Sequence, residues 1–128
     1  MLRISILIFA IMQSPIVLSK TFTDEQCLSY AVYREASGQG IQTQRAVLDV
    51  ILNRVKKERL GACKVLRKPS QFPYMKYGVK EVEHDWKLHY NVIKQFSPIL
   101  TEDYIYFNSV RHKFGKHCKK IGDMYFCK

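Results

Sequence analysis

The chain has 128 residues and carries 21 Lys+Arg against 11 Asp+Glu, a net charge of +10. That length holds one domain and excludes a multidomain assembly. The charge suits polyanions without choosing among nucleic acid, acidic envelope polymers and anionic lipid.

Residues 1–19 read as a secretory signal peptide. Arg3 is a minimal positive n-region, residues 4–12 are apolar, and Val17-Leu18-Ser19 sets compact residues at a cleavage site. The run breaks at Gln13, Ser14 and Pro15, short of the about 20 apolar residues a membrane span needs; an uncleaved anchor is the alternative. Cleavage starts the mature domain, residues 20–128, at Lys20. It removes Arg3 and leaves 20 Lys+Arg against 11 Asp+Glu. The protein is then expected to be exported, to a periplasm or the extracellular space. Four cysteines in such a compartment suggest two disulfides, for which sequence permits three connectivities. The favoured pairing joins Cys27 to Cys63 and Cys118 to Cys127.

Thr23-Asp24-Glu25-Gln26 is a capping box that starts a helix running to Ala36 or Ser37, broken by Gly38 and Gly40. Leu28, Ala31 and Val32 mark its apolar stripe. The next position on that stripe, at i+7, is Glu35. A carboxylate there is costly unless paired, neutralised or wanted for chemistry. Partial burial and the negative end of the helix dipole both favour its protonated form, which a general acid requires. The structural alternative pairs Glu35 with Arg34, Arg45 or a lysine.

A second helix is expected over 42–60. Val47, Val50, Ile51 and Val55 form its stripe, widened by Leu48 and Leu52, and Gly61 ends it. Asp49 on this helix reads as solvated or paired with Arg45. Residues 62–79, with Pro69, Pro73 and Gly78, read as loop. A third helix over 80–96 sets Val82, Trp86, His89, Ile93 and Phe96 on one face, closed by Pro98. Tyr104-Ile105-Tyr106-Phe107-Asn108 and Met124-Tyr125-Phe126-Cys127 read as two strands flanking a basic loop, residues 111–120. The fold class is α+β, mainly helical, with a small C-terminal β-hairpin.

"CLSYAVYREASGQGIQTQRAVLDVILNRVKK" resembles the opening of the cell-wall hydrolases related to spore cortex-lytic enzymes. Their pattern has a Cys or small residue, an aromatic, Glu-Ala-Arg-Gly-Glu, then Gly-Gln, Ala-Val and Val-(Ile/Leu)-Asn-Arg-Val. Three further blocks follow in the same order. Gln71-Phe72-Pro73-Tyr74 is similar to Gln-Phe-Ser-Trp, Tyr106-Phe107-Asn108 to Tyr-Phe-(His/Asn)-Asn, and Ile121-Gly122-Asp123-Met124-Tyr125-Phe126 to Ile-Gly-x-His-x-Phe. The resemblance implies a lysozyme-like fold and cleavage of peptidoglycan glycan strands, with Glu35 matching the catalytic glutamate. Several members of that family are lytic transglycosylases, and the resemblance fits a phage lysis enzyme or a bacterial wall-remodelling enzyme alike. The family's Arg-Gly-Glu is Ser37-Gly38-Gln39 here, so its second acid is absent.

Glycosidases ordinarily use two carboxylates, and Gln39 cannot ionise. A single-carboxyl route fits better: Glu35 protonates the glycosidic oxygen, then takes a proton from the sugar's C6 hydroxyl as a 1,6-anhydro ring closes. Hydrolysis is the alternative outcome. Phe72, Tyr74 and Tyr77 suit sugar faces or fold back onto the core, Phe72 first among them. Gln71 and Asn108 can donate to sugar oxygens or satisfy backbone. Tyr106 shares a strand face with Asn108, and Phe107 points to the core.

His84 and His89, like His112 and His117, lie five apart, about 140° round a helix, which disfavours a metal site. The reading needs no cofactor, no specific nucleic acid and no second subunit. Its partner is peptidoglycan, with electrostatic contact to anionic polymers or lipid. A non-catalytic cationic envelope-binding protein on the same fold is the rival. A basic ribonuclease would need a histidine pair.

Overall fold

The computed structural model describes residues 21–68, 71–80, 84–109 and 117–128. The expected signal peptide, Val82 and most of the basic loop lie outside the described residues. The fold is α+β and mainly helical: α1 (Asp24–Ala36), α2 (Ile41–Glu58), α3 (Ala62–Leu66), a 3-10 turn (Pro73–Tyr77), α4 (His84–Ile93), β1 (Tyr106–Asn108), β2 (Cys118–Ile121) and β3 (Met124–Cys127).

Thr23 caps α1 as its sequence predicts. Its hydroxyl accepts the Gln26 N–H at 3.2 Å, and the Gln26 side chain accepts the Thr23 N–H at 2.9 Å. Two of the helix's orphan donors are thereby satisfied. α2 is the central element, touching every other helix and all three strands. Its Ala46, Val47, Leu48, Val50 and Ile51 are fully buried, whereas Leu52 turns outward and is 37% exposed. Asp49 is not solvated: it is buried against Arg45 at 2.9 Å. The helix stops at Arg59, whose φ of 54° takes the left-handed conformation expected of Gly61. Gly61 instead precedes α3.

The expected loop 62–79 therefore contains α3 and the 3-10 turn. Five residues are too few to display a period, yet Ala62, Cys63, Val65 and Leu66 of α3 are all buried. The Cys27–Cys63 disulfide pins this short helix to α1. Among the described residues, the third expected helix, 80–96, is regular over α4 and ends at Ile93 rather than Phe96. Tyr90 and Ile93 are its buried residues, Trp86 and His89 are half-buried, and Phe96 beyond its end is 47% exposed.

The expected hairpin is a three-stranded antiparallel sheet in the order β1-β3-β2. β1 and β3 do pair, with Phe107 opposite Phe126, but β2 comes between them in the chain. This strand, Cys-Lys-Lys-Ile, reads as part of a basic loop because an edge strand tolerates and uses exposed lysines. Cys118 sits opposite Cys127 in the register, where the second disulfide closes. Phe126 carries the sheet into the core.

Gly122-Asp123 makes the two-residue turn between β2 and β3, with φ of +58° at Gly122. Glycine at the first turn position suits such tight hairpins. A Cβ at position 122 would also collide with Thr43 Oγ1. Gly122→Ala is thus expected to destabilise the domain by about 1–3 kcal/mol, readable as a lowered urea midpoint.

Candidate active site

Glu35 is the penultimate residue of α1, half-buried where the stripe of the helix runs out. Tyr74, in the 3-10 turn, donates its hydroxyl to Glu35 Oε1 at 2.7 Å. The Arg34 guanidinium lies over the Tyr74 ring, 4.8 Å from its centroid. Burial raises the Glu35 pKa above its ordinary value of 4.5. The Tyr74 hydrogen bond and the charges of Arg34 and Arg54 pull the other way without cancelling it. The Tyr74 hydroxyl is itself pushed up, by burial and by the nearby Glu35 charge, and so remains a donor.

Removing that donor has a definite sign. Tyr74→Phe deletes a bond that favours the charged carboxylate, so the Glu35 pKa should rise further. A carboxyl-detected NMR titration should show the Glu35 midpoint moved to higher pH. The ring contacts with Tyr30 and Phe72 survive the change. An unmoved midpoint would mean that the Tyr74 hydroxyl does not hold the carboxylate.

Glu35 opens onto a cleft of about 630 Å³. Glu35, Gln39 and Arg54 come from the helical side. Gln71 and Phe72 come from the loop before the 3-10 turn, Tyr106, Phe107 and Asn108 from β1, and Asp123 and Met124 from the β2–β3 hairpin. Four of the expected substrate-binding residues, Gln71, Phe72, Tyr106 and Asn108, are thus brought together with Glu35. Phe72 is buried and forms floor rather than rim. Tyr74 stands apart from the lining, engaged with Glu35, and Tyr77 is 81% exposed. Phe107 packs on the core, as its alternation predicts, yet one edge also reaches the cleft.

Two lining residues, Arg54 and Asp123, were not singled out by their sequence context. Arg54 donates from Nε to the Ile105 carbonyl at 2.6 Å and from Nη1 to Gln71 Oε1 at 3.2 Å. Its guanidinium lies 5.5 Å from the Phe72 centroid and 5.9 Å from that of Phe107. One arginine therefore ties the loop wall to the sheet wall and carries a positive charge near Glu35. Both residues fall within the quoted blocks, Arg54 in Asn-Arg-Val and Asp123 in Ile-Gly-Asp-Met, and that was the available signal.

A second hollow of about 470 Å³ lies at the other end of α1, between Phe22, Ser29, Lys80 and Tyr90. Its carboxylate, Glu25, is exposed and paired with Lys94 at 2.9 Å. The two hollows differ in kind: only the first sets a half-buried acid beside aromatic and amide groups.

No family model, curated protein or solved structure matches the chain.

Proposed function

We propose that this protein cleaves the glycan strands of peptidoglycan, with Glu35 as the general acid. The observation that carries the reading is a carboxyl group raised by burial at the edge of an open cleft. Protonated Glu35 gives its proton to the glycosidic oxygen as the C1–O bond breaks. The carboxylate left behind accepts the Tyr74 hydrogen bond. It then takes the proton of the C6 hydroxyl while that oxygen bonds to C1. Glu35 is regenerated, and the product ends in a 1,6-anhydro ring. This is the lytic transglycosylase route, and it needs no cofactor.

The surroundings suit a sugar chain. Tyr106 offers an exposed ring, over a floor of Phe72 and the edge of Phe107. Asn108 Oδ1 accepts its neighbour's N–H at 2.7 Å, leaving its NH2 as the donor side. An acid at a helix end, facing a small antiparallel sheet across a cleft, is also what a lysozyme-like domain provides. Two disulfides suit export to an oxidising compartment, and the basic surface suits an acidic envelope.

Mass spectrometry of purified peptidoglycan after digestion tests the reading. Anhydro-muramyl ends from the wild type, absent with Glu35→Gln, support it. No soluble products from either form, with retained binding to wall material, would establish the envelope-binding alternative.

A further inference from the structure

We propose that Asp123 is a second carboxylate of this cleft, the base that deprotonates an attacking water, so that hydrolysis accompanies ring closure. The inference rests on Glu35 being the acid that opens the glycosidic bond.

Asp123 is held in place from outside its own turn. Gln39 Oε1 accepts the Asp123 N–H at 3.3 Å. The Gln39 carbonyl in turn accepts Gln44 Nε2 at 2.9 Å, and Gln44 Oε1 lies 2.6 Å from His89 Nε2. A chain of amides thus fastens the β2–β3 turn to α2 and α4. Gly122 seals the join, because Thr43 and Gln39 fill the space a Cβ would need.

Position 39 cannot ionise, but it anchors a residue that can. Among the described residues no hydrogen bond or ion pair engages the Asp123 carboxylate, which is exposed and borders the same cleft as Glu35. One carboxyl is half-buried on the helical wall, and the other stands in water on the hairpin. A glycosidase that uses water divides its labour between two such environments.

The step balances. Glu35 donates a proton to the leaving oxygen as C1–O breaks. A water oxygen bonds to C1, and Asp123 takes the water's proton. The product is a reducing-end sugar, and solvent returns the proton from Asp123 to Glu35. Without Asp123 the C6 hydroxyl is the nucleophile that remains, since its proton goes to Glu35.

The ratio of reducing to 1,6-anhydro ends, measured by mass spectrometry of digested peptidoglycan, tests this. The wild type should yield both. Asp123→Asn should lower reducing ends by about 10²-fold, the lower range for loss of a general base, while anhydro ends persist. Added azide should give glycosyl azide ends with Asp123→Ala and none with the wild type, a rescue that a structural role would not produce. An unchanged ratio in Asp123→Asn, anhydro ends alone from the wild type, or no azide adduct would overturn the assignment while leaving Glu35 in place. Absence of all products from the wild type would overturn Glu35, and Asp123 with it.

Discussion

Glu35→Gln is expected to slow strand cleavage by about 10²–10⁴-fold, the range for a positioned general acid, and at the same time to raise the melting temperature at neutral pH. The two effects share one cause. Burial raises the folded-state pKa of Glu35 above its ordinary 4.5, so the native domain holds a carboxylate less comfortably than the unfolded chain does. Above the raised pKa the full penalty applies. As pH falls through that pKa and then below 4.5, both states become protonated and the penalty disappears. The stabilising effect of glutamine should therefore be present at pH 7 and fade in acid. Thermal melts of the two proteins across that range would show it. A glutamine variant that is less stable at every pH would mean that Glu35 is a structural anchor for Tyr74 rather than a strained acid.

The largest effect on stability is expected at Asp49. Its carboxylate lies 2.9 Å from the Arg45 guanidinium, with the two side chains 2% and 7% exposed. Asp49 Oδ2 also accepts the N–H groups of Ile99 and Leu100, at 2.7 and 3.1 Å. Arg45 donates from Nη1 to the Lys94 carbonyl at 3.3 Å. Asp49→Ala leaves a buried cation and two bare backbone donors. Breaking such a pair from one side costs about 3–5 kcal/mol, a fall in melting temperature of more than ~10 °C for a domain this size. The double variant Arg45→Met, Asp49→Leu should recover only part of the loss. It removes the stranded charge but not the need of Ile99 and Leu100 for acceptors. Full recovery would show that those N–H groups find other partners. The same residues explain how a distant segment is delivered to the cleft. Beyond Leu100, Asn53 donates to the carbonyls of Thr101 and Tyr104, each at 2.9 Å, and Arg54 holds Ile105. α2 thus steers the chain from Lys94 into β1.

What could be read directly from the chain was local. The capping box of α1 is four consecutive residues, and the apolar stripe of α2 repeats within one element. Glu35 stood out because it interrupts such a stripe. The favoured one of three possible cysteine pairings is the one that forms. What could not be read depends on partners far apart in the chain. Tyr74 was expected against sugar or folded back onto the core, and nothing local announced that its hydroxyl bonds Glu35, 39 residues away. Gln39 meets the Asp123 turn across 84 residues, a contact that the Ile-Gly-Asp-Met block does not by itself announce. Arg54 reaches Ile105 across 51 residues. β2 was hidden by its own lysines, and α3 by its length.

The central placement of α2 bears on resistance to proteolysis. An element that touches every other helix and every strand cannot be uncovered by peeling one of them away alone. The openings that expose cleavable backbone near the site are then expected to approach whole-domain unfolding in free energy. Proteolytic lifetime would follow global stability, and the slowest-exchanging amides should lie along Ala46–Ile51, behind the wall that carries Glu35.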